Sequence, residues 1–157
     1  DQVHLRVRKT LKQDQEGADA RDGMDIAFCK IDTKNNILEY SGSHRPLYLL
    51  REGELIQFKG NAKAIGGIPI GKKPEKNFET HVIPLQKKDK VFFFSDGLPD
   101  QINSAKEKFS PARIRNLIQQ NPDLDMDGYN HLFSNDITQW MTGVSQVDDI
   151  LLIGIEF

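Results

Sequence analysis

Val3, Val7 and Leu11 recur every four residues among charged neighbours, a spacing that lines apolar side chains along one face of a helix. Residues 2–13 are therefore predicted to form a short amphipathic helix. Gln13–Arg21 is polar, carries Asp14, Gly17 and Asp19, and predicts a loop. The period then changes. Met24–Ile31 is short and apolar, with Met24, Ile26 and Phe28 on one side, and predicts a strand. Asp32–Asn36 is a turn cluster, followed by Ile37–Ser41, Pro46–Leu50, the turn Arg51–Glu54 and Leu55–Phe58. Strands separated by tight turns describe an antiparallel meander, because antiparallel neighbours need only short connections.

Residues 60–77 are rich in Gly, Pro and Lys and predict a long loop or flap; Phe78–Ile83 predicts a strand and Lys87–Lys90 a turn. Val91–Ser95 is a continuous apolar run, as expected of a central strand covered on both faces. Ser110-Pro111 is a helix start with proline in the first turn, and Ile114, Leu117 and Ile118 supply its apolar stripe. A second helix is predicted through Tyr129–Met141 with Leu132, Phe133, Ile137 and Trp140 inward, then a last strand over Ile150–Ile155. Antiparallel strands with helices inserted late make this an α+β chain.

Composition narrows the field. The 157 residues fit one domain, and 28% charged with 38% hydrophobic residues is a globular balance. A net charge of −2 with acids and bases interspersed offers no nucleic-acid surface. Arg6, Arg8, Lys9 and Lys12 read as a solvated helix face. Cys29 is the only cysteine, which excludes an internal disulfide and fits a reducing compartment. Within its apolar run it reads as a small buried hydrophobe. No apolar run approaches the ~18–20 residues of a membrane span, and no signal peptide is visible. A cytoplasmic segment without direct membrane contact is expected. The chain begins at Asp1 without methionine and is expected to be a piece of a longer protein.

Two acidic sites carry candidate chemistry: Ser95-Asp96-Gly97, directly after the most apolar strand, and Asp148-Asp149, directly before the last one. Each alone reads first as a strand-end turn. Together they place carboxylates at the ends of rigid apolar strands, and hard divalent cations such as magnesium take oxygen ligands of this kind. Adjacent aspartates also raise each other's pKa unless a cation or donors neutralise them. Four scattered histidines (His4, His44, His81, His131) and one cysteine show no zinc spacing. Gly66–Gly71 is a flexible turn rather than a nucleotide cradle, and no nucleophile elbow is present.

The ordered set Asp22–Phe28, Tyr40–Tyr48, Ile65–Gly67, Phe94–Asp100 and Val147–Ile150 resembles the SpoIIE-type branch of the type 2C (PPM) protein phosphatases, over residues 3–157. The resemblance implies two antiparallel sheets packed as a sandwich with helices outside. It also implies a two-metal centre of Mn2+ or Mg2+ at which activated water attacks a phosphoserine or phosphothreonine. Asp96 and Asp148 match the family's two aspartates that ligate one of the metals. Gly97 would allow close approach of the chain at the site, and Asp149 matches a supporting position behind the ligands.

The family's bridging aspartate, in an Asp-Gly or Asp-x-x-Gly-His-Gly segment, has no counterpart here, so residues 1–157 are expected to be the C-terminal part of one phosphatase domain. Residues 1–21 would be its helix-and-loop lead-in. Where many relatives outside this branch carry Gly-Asp-Ser-Arg, this chain has Gly42-Ser43-His44-Arg45, which leaves His44 as a phosphate contact or a packing residue. The partner class implied is a phosphoprotein such as a STAS-type anti-anti-sigma regulator, with self-association through exposed sheet edges. The rival reading is a catalytically incomplete scaffold used for protein contacts.

Overall fold

The computed structural model describes residues 1–15, 22–67 and 75–157. Residues 16–21 of the expected loop over Gln13–Arg21 and 68–74 of the expected flap over 60–77 lie outside them. Two compact units emerge: residues 1–46 with 59–84, and residues 47–58 with 85–157. All pairings between named strands are antiparallel, as the α+β reading requires.

The first unit holds α1 (Gln2–Thr10), β1 (Gly23–Met24), β2 (Ile26–Asp32), β3 (Ile37–Ser43), β6 (Ile65–Gly66) and β7 (His81–Pro84). β2, β3 and β7 form a three-stranded sheet with β3 central, and β1 pairs with β6. One sheet face carries the buried Leu38, Tyr40 and Ile83. Cys29 stands opposite Tyr40, and burial pushes its thiol up to about 11.

Three expectations change here. The strand expected over Met24–Ile31 is split at Asp25, and the side carrying Met24 and Phe28 is open, with Phe28 61% exposed. The reason is alternation: Cys29, opposite Tyr40, shares the buried face, so Phe28 must point the other way. On α1 the buried residue is His4 rather than Val3 or Leu11, because the His4 Nδ1 atom accepts a hydrogen bond from the Gly66 amide at 3.1 Å. β7 begins at His81 rather than Phe78. The amides of Phe78 and Glu79 are taken by the side chains of Asp1 (3.1 Å) and Asn61 (2.9 Å) instead of a neighbouring strand.

The second unit holds β4 (Leu47–Arg51), β5 (Glu54–Phe58), β8 (Lys90–Phe94), α2 (Gly97–Asp100), α3 (Ser110–Gln120), α4 (Met126–Trp140) and β9 (Leu152–Glu156). Its sheet runs β5-β4-β8-β9. The β4–β5 hairpin turns on Glu52 and Gly53, both at positive φ (50° and 79°), the backbone that two-residue hairpins favour. β8 is buried along nearly its whole length, as its apolar run predicts. Phe92 and Phe94 pack with Tyr48, Ile114, Ile118, Tyr129 and Phe133 into the core under α3 and α4. α4 starts at Met126, before the expected Tyr129, because the Asp125 carboxylate caps it by accepting from the Gly128 amide at 2.8 Å. The turn before β8 contains Asp89, only 1% exposed. Its carboxylate accepts from Arg51 Nε at 2.8 Å and from Nη2 at 2.5 Å.

Candidate functional site

β8 ends at Phe94, which pairs with Leu152 of β9. The residues one step beyond, Ser95 and Leu151, therefore meet at the end of the sheet. Ser95 donates its amide to the Leu151 carbonyl (3.0 Å), and its hydroxyl accepts from the Leu151 amide (2.9 Å). The same hydroxyl donates to the Asp149 carbonyl at 2.8 Å. Ser95 thus ties the segment after Asp148 to the segment carrying Asp96.

Gly97 closes the contact. A Cβ there would drive into the Asp149 carbonyl group, 2.7 Å from its carbon and 3.2 Å from that of Asp148. Only a residue without a side chain lets these two backbones approach so closely. Asp96, Gly97, Asp148 and Asp149 are thereby brought to one end of one sheet. Asp96 is half-buried, whereas Asp148 and Asp149 are exposed. Asp148 Oδ1 accepts from the Asp149 amide at 2.7 Å, and the Asp148 carbonyl accepts from Gln146 Nε2 at 2.8 Å. Asp149 thus steers its neighbour's carboxylate through its backbone.

His44 lies in the first unit, at φ 54° just after β3. Its Nδ1 is 2.8 Å from Asp25 Oδ1, and Arg45 Nη2 donates to Asp25 Oδ2 at 2.9 Å. Nothing about Asp25 in the sequence marked it as the partner of both, since the link depends on the fold bringing the start of β2 to the end of β3.

A second residue escaped the sequence reading. Gln101, which follows α2, is completely buried, and its side chain accepts from the Val147 amide at 3.0 Å, immediately before Asp148. A single glutamine beyond a Ser-Asp-Gly turn carries no signal of such a role.

The donor chemistry of this sheet end is of the kind a divalent cation takes. Asp96 and Asp148 supply hard oxygen donors of the type Mg2+ and Mn2+ prefer, and the close approach at Gly97 brings the segments that carry them together. Among the described residues no group of three or more His, Cys, Asp or Glu is arranged to hold a metal. Nor is any described helix long and apolar enough to cross a membrane.

Several solved structures share this fold. The SiaA-PP2C domain of Pseudomonas aeruginosa superposes with a TM-score of 0.79 at 20% identity, over 98% of this chain and 57% of that one. The manganese-presoaked phosphatase domain of the cell fate determinant SpoIIE from Bacillus subtilis gives 0.62 at 12% identity, over 85% and 56%. The RsbU and RsbW domains of Rv1364c from Mycobacterium tuberculosis give 0.62 at 14% identity, over 99% and 46%. The chain thus spans a little over half of the first two. No curated protein matches it. The model of the family described as Stage II sporulation protein E (SpoIIE) matches residues 1–157, and with its antiparallel sheets, flanking helices and strand-end aspartates the chain belongs to that family of phosphatase domains.

Proposed function

We propose that this chain is the C-terminal part of a metal-dependent protein serine/threonine phosphatase domain, acting on phosphoserine or phosphothreonine of a partner protein. The observation that carries the reading is the contact of Gly97 with Asp148-Asp149, which joins the two aspartate-bearing segments at one sheet end. Asp96 and Asp148 would hold one Mn2+ or Mg2+. A bound ion of this kind supplies positive charge for the phosphoryl oxygens and acidifies water. The chain's own residues prepare that place. Ser95 fixes the segment after Asp148, Gly97 admits it, and the Asp149 amide aims one Asp148 oxygen.

The partial span of the longer relatives supports reading residues 1–157 as part of one domain whose remaining metal ligands lie elsewhere in that domain. The family setting supports a cytoplasmic signalling role. It also supports a phosphoprotein partner of the STAS-type anti-anti-sigma kind. The absence of a third clustered ligand among the described residues favours one rival, a catalytically incomplete scaffold for protein contacts.

The test is hydrolysis of a phosphoserine protein and of para-nitrophenyl phosphate by the full-length protein, with and without Mn2+. Activity should require the metal, vanish with chelator and collapse in Asp96→Asn and Asp148→Asn. Activity indifferent to chelator, or unaffected by Asp96→Asn, overturns the mechanism. A folded protein that binds its phosphoprotein but is inactive with every metal establishes the scaffold.

A further inference from the structure

We propose that Gln101 is a positioning residue for the metal-binding aspartates: it presets the backbone that carries Asp148 relative to the helix that follows Asp96. The inference rests on the metal-site reading above.

Gln101 is 0% exposed, an unusual place for an amide side chain. Each of its side-chain hydrogen-bonding groups is engaged. Nε2 donates to the carbonyls of Ile102 and Ser145, both at 3.1 Å, and Oε1 accepts from the Val147 amide at 3.0 Å. A buried amide with both donors and its acceptor used holds its neighbours in one arrangement. What it holds is the loop entering Asp148.

The backbone of Gln101 is equally fixed. Its amide donates to Gly97 (3.1 Å), while its carbonyl accepts from the Phe109 amide (2.8 Å) and Trp140 Nε1 (3.1 Å). The Asp100 amide donates to the Asp96 carbonyl at 2.9 Å. Short, hydrogen-bonded steps therefore run from Asp96 through α2 to Gln101, across to Val147, and on to Asp148.

Ser95 holds the same loop from its far side, at Asp149 and Leu151. Asp148 is exposed to solvent, yet the chain is pinned on both sides of it. An exposed carboxylate on a loose loop must be ordered when a cation binds, and that ordering weakens binding. Here the ordering is built in, so Gln101 acts on the metal through Asp148 without touching it. Residues that orient metal ligands in this way commonly change affinity about 10–100-fold when lost.

The experiment uses the full-length protein with two variants. Gln101→Leu removes the whole side-chain set at similar volume. Val147→Pro removes the amide that Gln101 receives and fixes φ at a residue that is itself 61% exposed, so it tests the same link should Gln101→Leu not fold. Mn2+ affinity is measured by calorimetry, and amide hydrogen exchange across 145–149 is followed in metal-free protein. The expected result is faster exchange across 145–149 and a Kd for Mn2+ raised about tenfold or more. Most of kcat should return at saturating Mn2+. Folded variants with faster exchange but unchanged Mn2+ affinity overturn the positioning role and leave the phosphatase reading standing. Wild-type protein that binds no Mn2+ overturns both.

Discussion

The backbone of Asp149 occupies the space where any side chain on Gly97 would have to go. Gly97→Ala therefore forces the two aspartate-bearing segments apart. Overpacking of this kind costs about 1–3 kcal/mol. Urea denaturation should show that loss, and Mn2+ titration should show affinity lost with it.

If Asp96 and Asp148 hold a cation, the cation should stabilise the fold. Binding to the native state alone adds about 2.7 kcal/mol at one hundred times the dissociation constant. The melting temperature of the full-length protein should rise with added Mn2+. Asp96→Asn should abolish the rise while leaving metal-free melting nearly unchanged. An identical Mn2+ shift in wild type and variant would remove Asp96 from the site.

Arg51 and Asp89 tie β4 to the turn before β8 through two hydrogen bonds, with the Asp89 side chain only 2% exposed. The hydrogen bond to Asp89, helped by its charge, holds the guanidinium above its ordinary pKa. Arg51→Met leaves a buried carboxylate with the Gln86 amide but without its cation, for which a loss of about 3–5 kcal/mol is expected. The double variant Arg51→Met/Asp89→Leu should recover much of it, as chemical denaturation of the two proteins will show.

Cys29 is predicted to be inert at neutral pH. Burial raises its thiol from 9.0 to about 11, so little reactive thiolate forms at pH 8. Because the folded value lies above the unfolded one, its contribution to stability is complete below pH 9 and declines as pH rises toward 11. Iodoacetamide should modify the native protein far more slowly than the urea-unfolded chain. Cys29→Ala should reduce the loss of stability between pH 9 and 11.

Self-association through the first sheet is expected on chemical grounds. Phe28 and Val82 share one face, each 61% exposed, and β2 is an edge strand of the described sheet. Light scattering should report concentration-dependent association that Phe28→Ser weakens. A stable monomer at high concentration in wild type would sink the idea.

The sequence made the second unit more legible than the first. Val91-Phe-Phe-Phe could only be a covered central strand, and Ile114 with Ile118 marked the inner face of α3. In the first unit, Met24, Ile26 and Phe28 made one apolar side of β2, yet Phe28 is exposed and Cys29, opposite Tyr40, lies on the inner face. On α1 the buried residue is His4, which accepts from the Gly66 amide, while Val3 is exposed. The two acidic motifs were readable because their residue types define them. Gln101 was not, because its role comes from burial and from partners 44 and 46 residues away.

Those separations bear on how the domain assembles. Ser95 and Leu151 are 56 residues apart, and the intervening chain contains α2, α3 and α4. Contacts between distant residues form late, since the loop must close before they repay its entropy. The aspartate pair therefore has no local precursor: the segments carrying Asp96 and Asp148 come together only where β9 pairs with β8. A cation that needs both carboxylates would then bind only the closed unit.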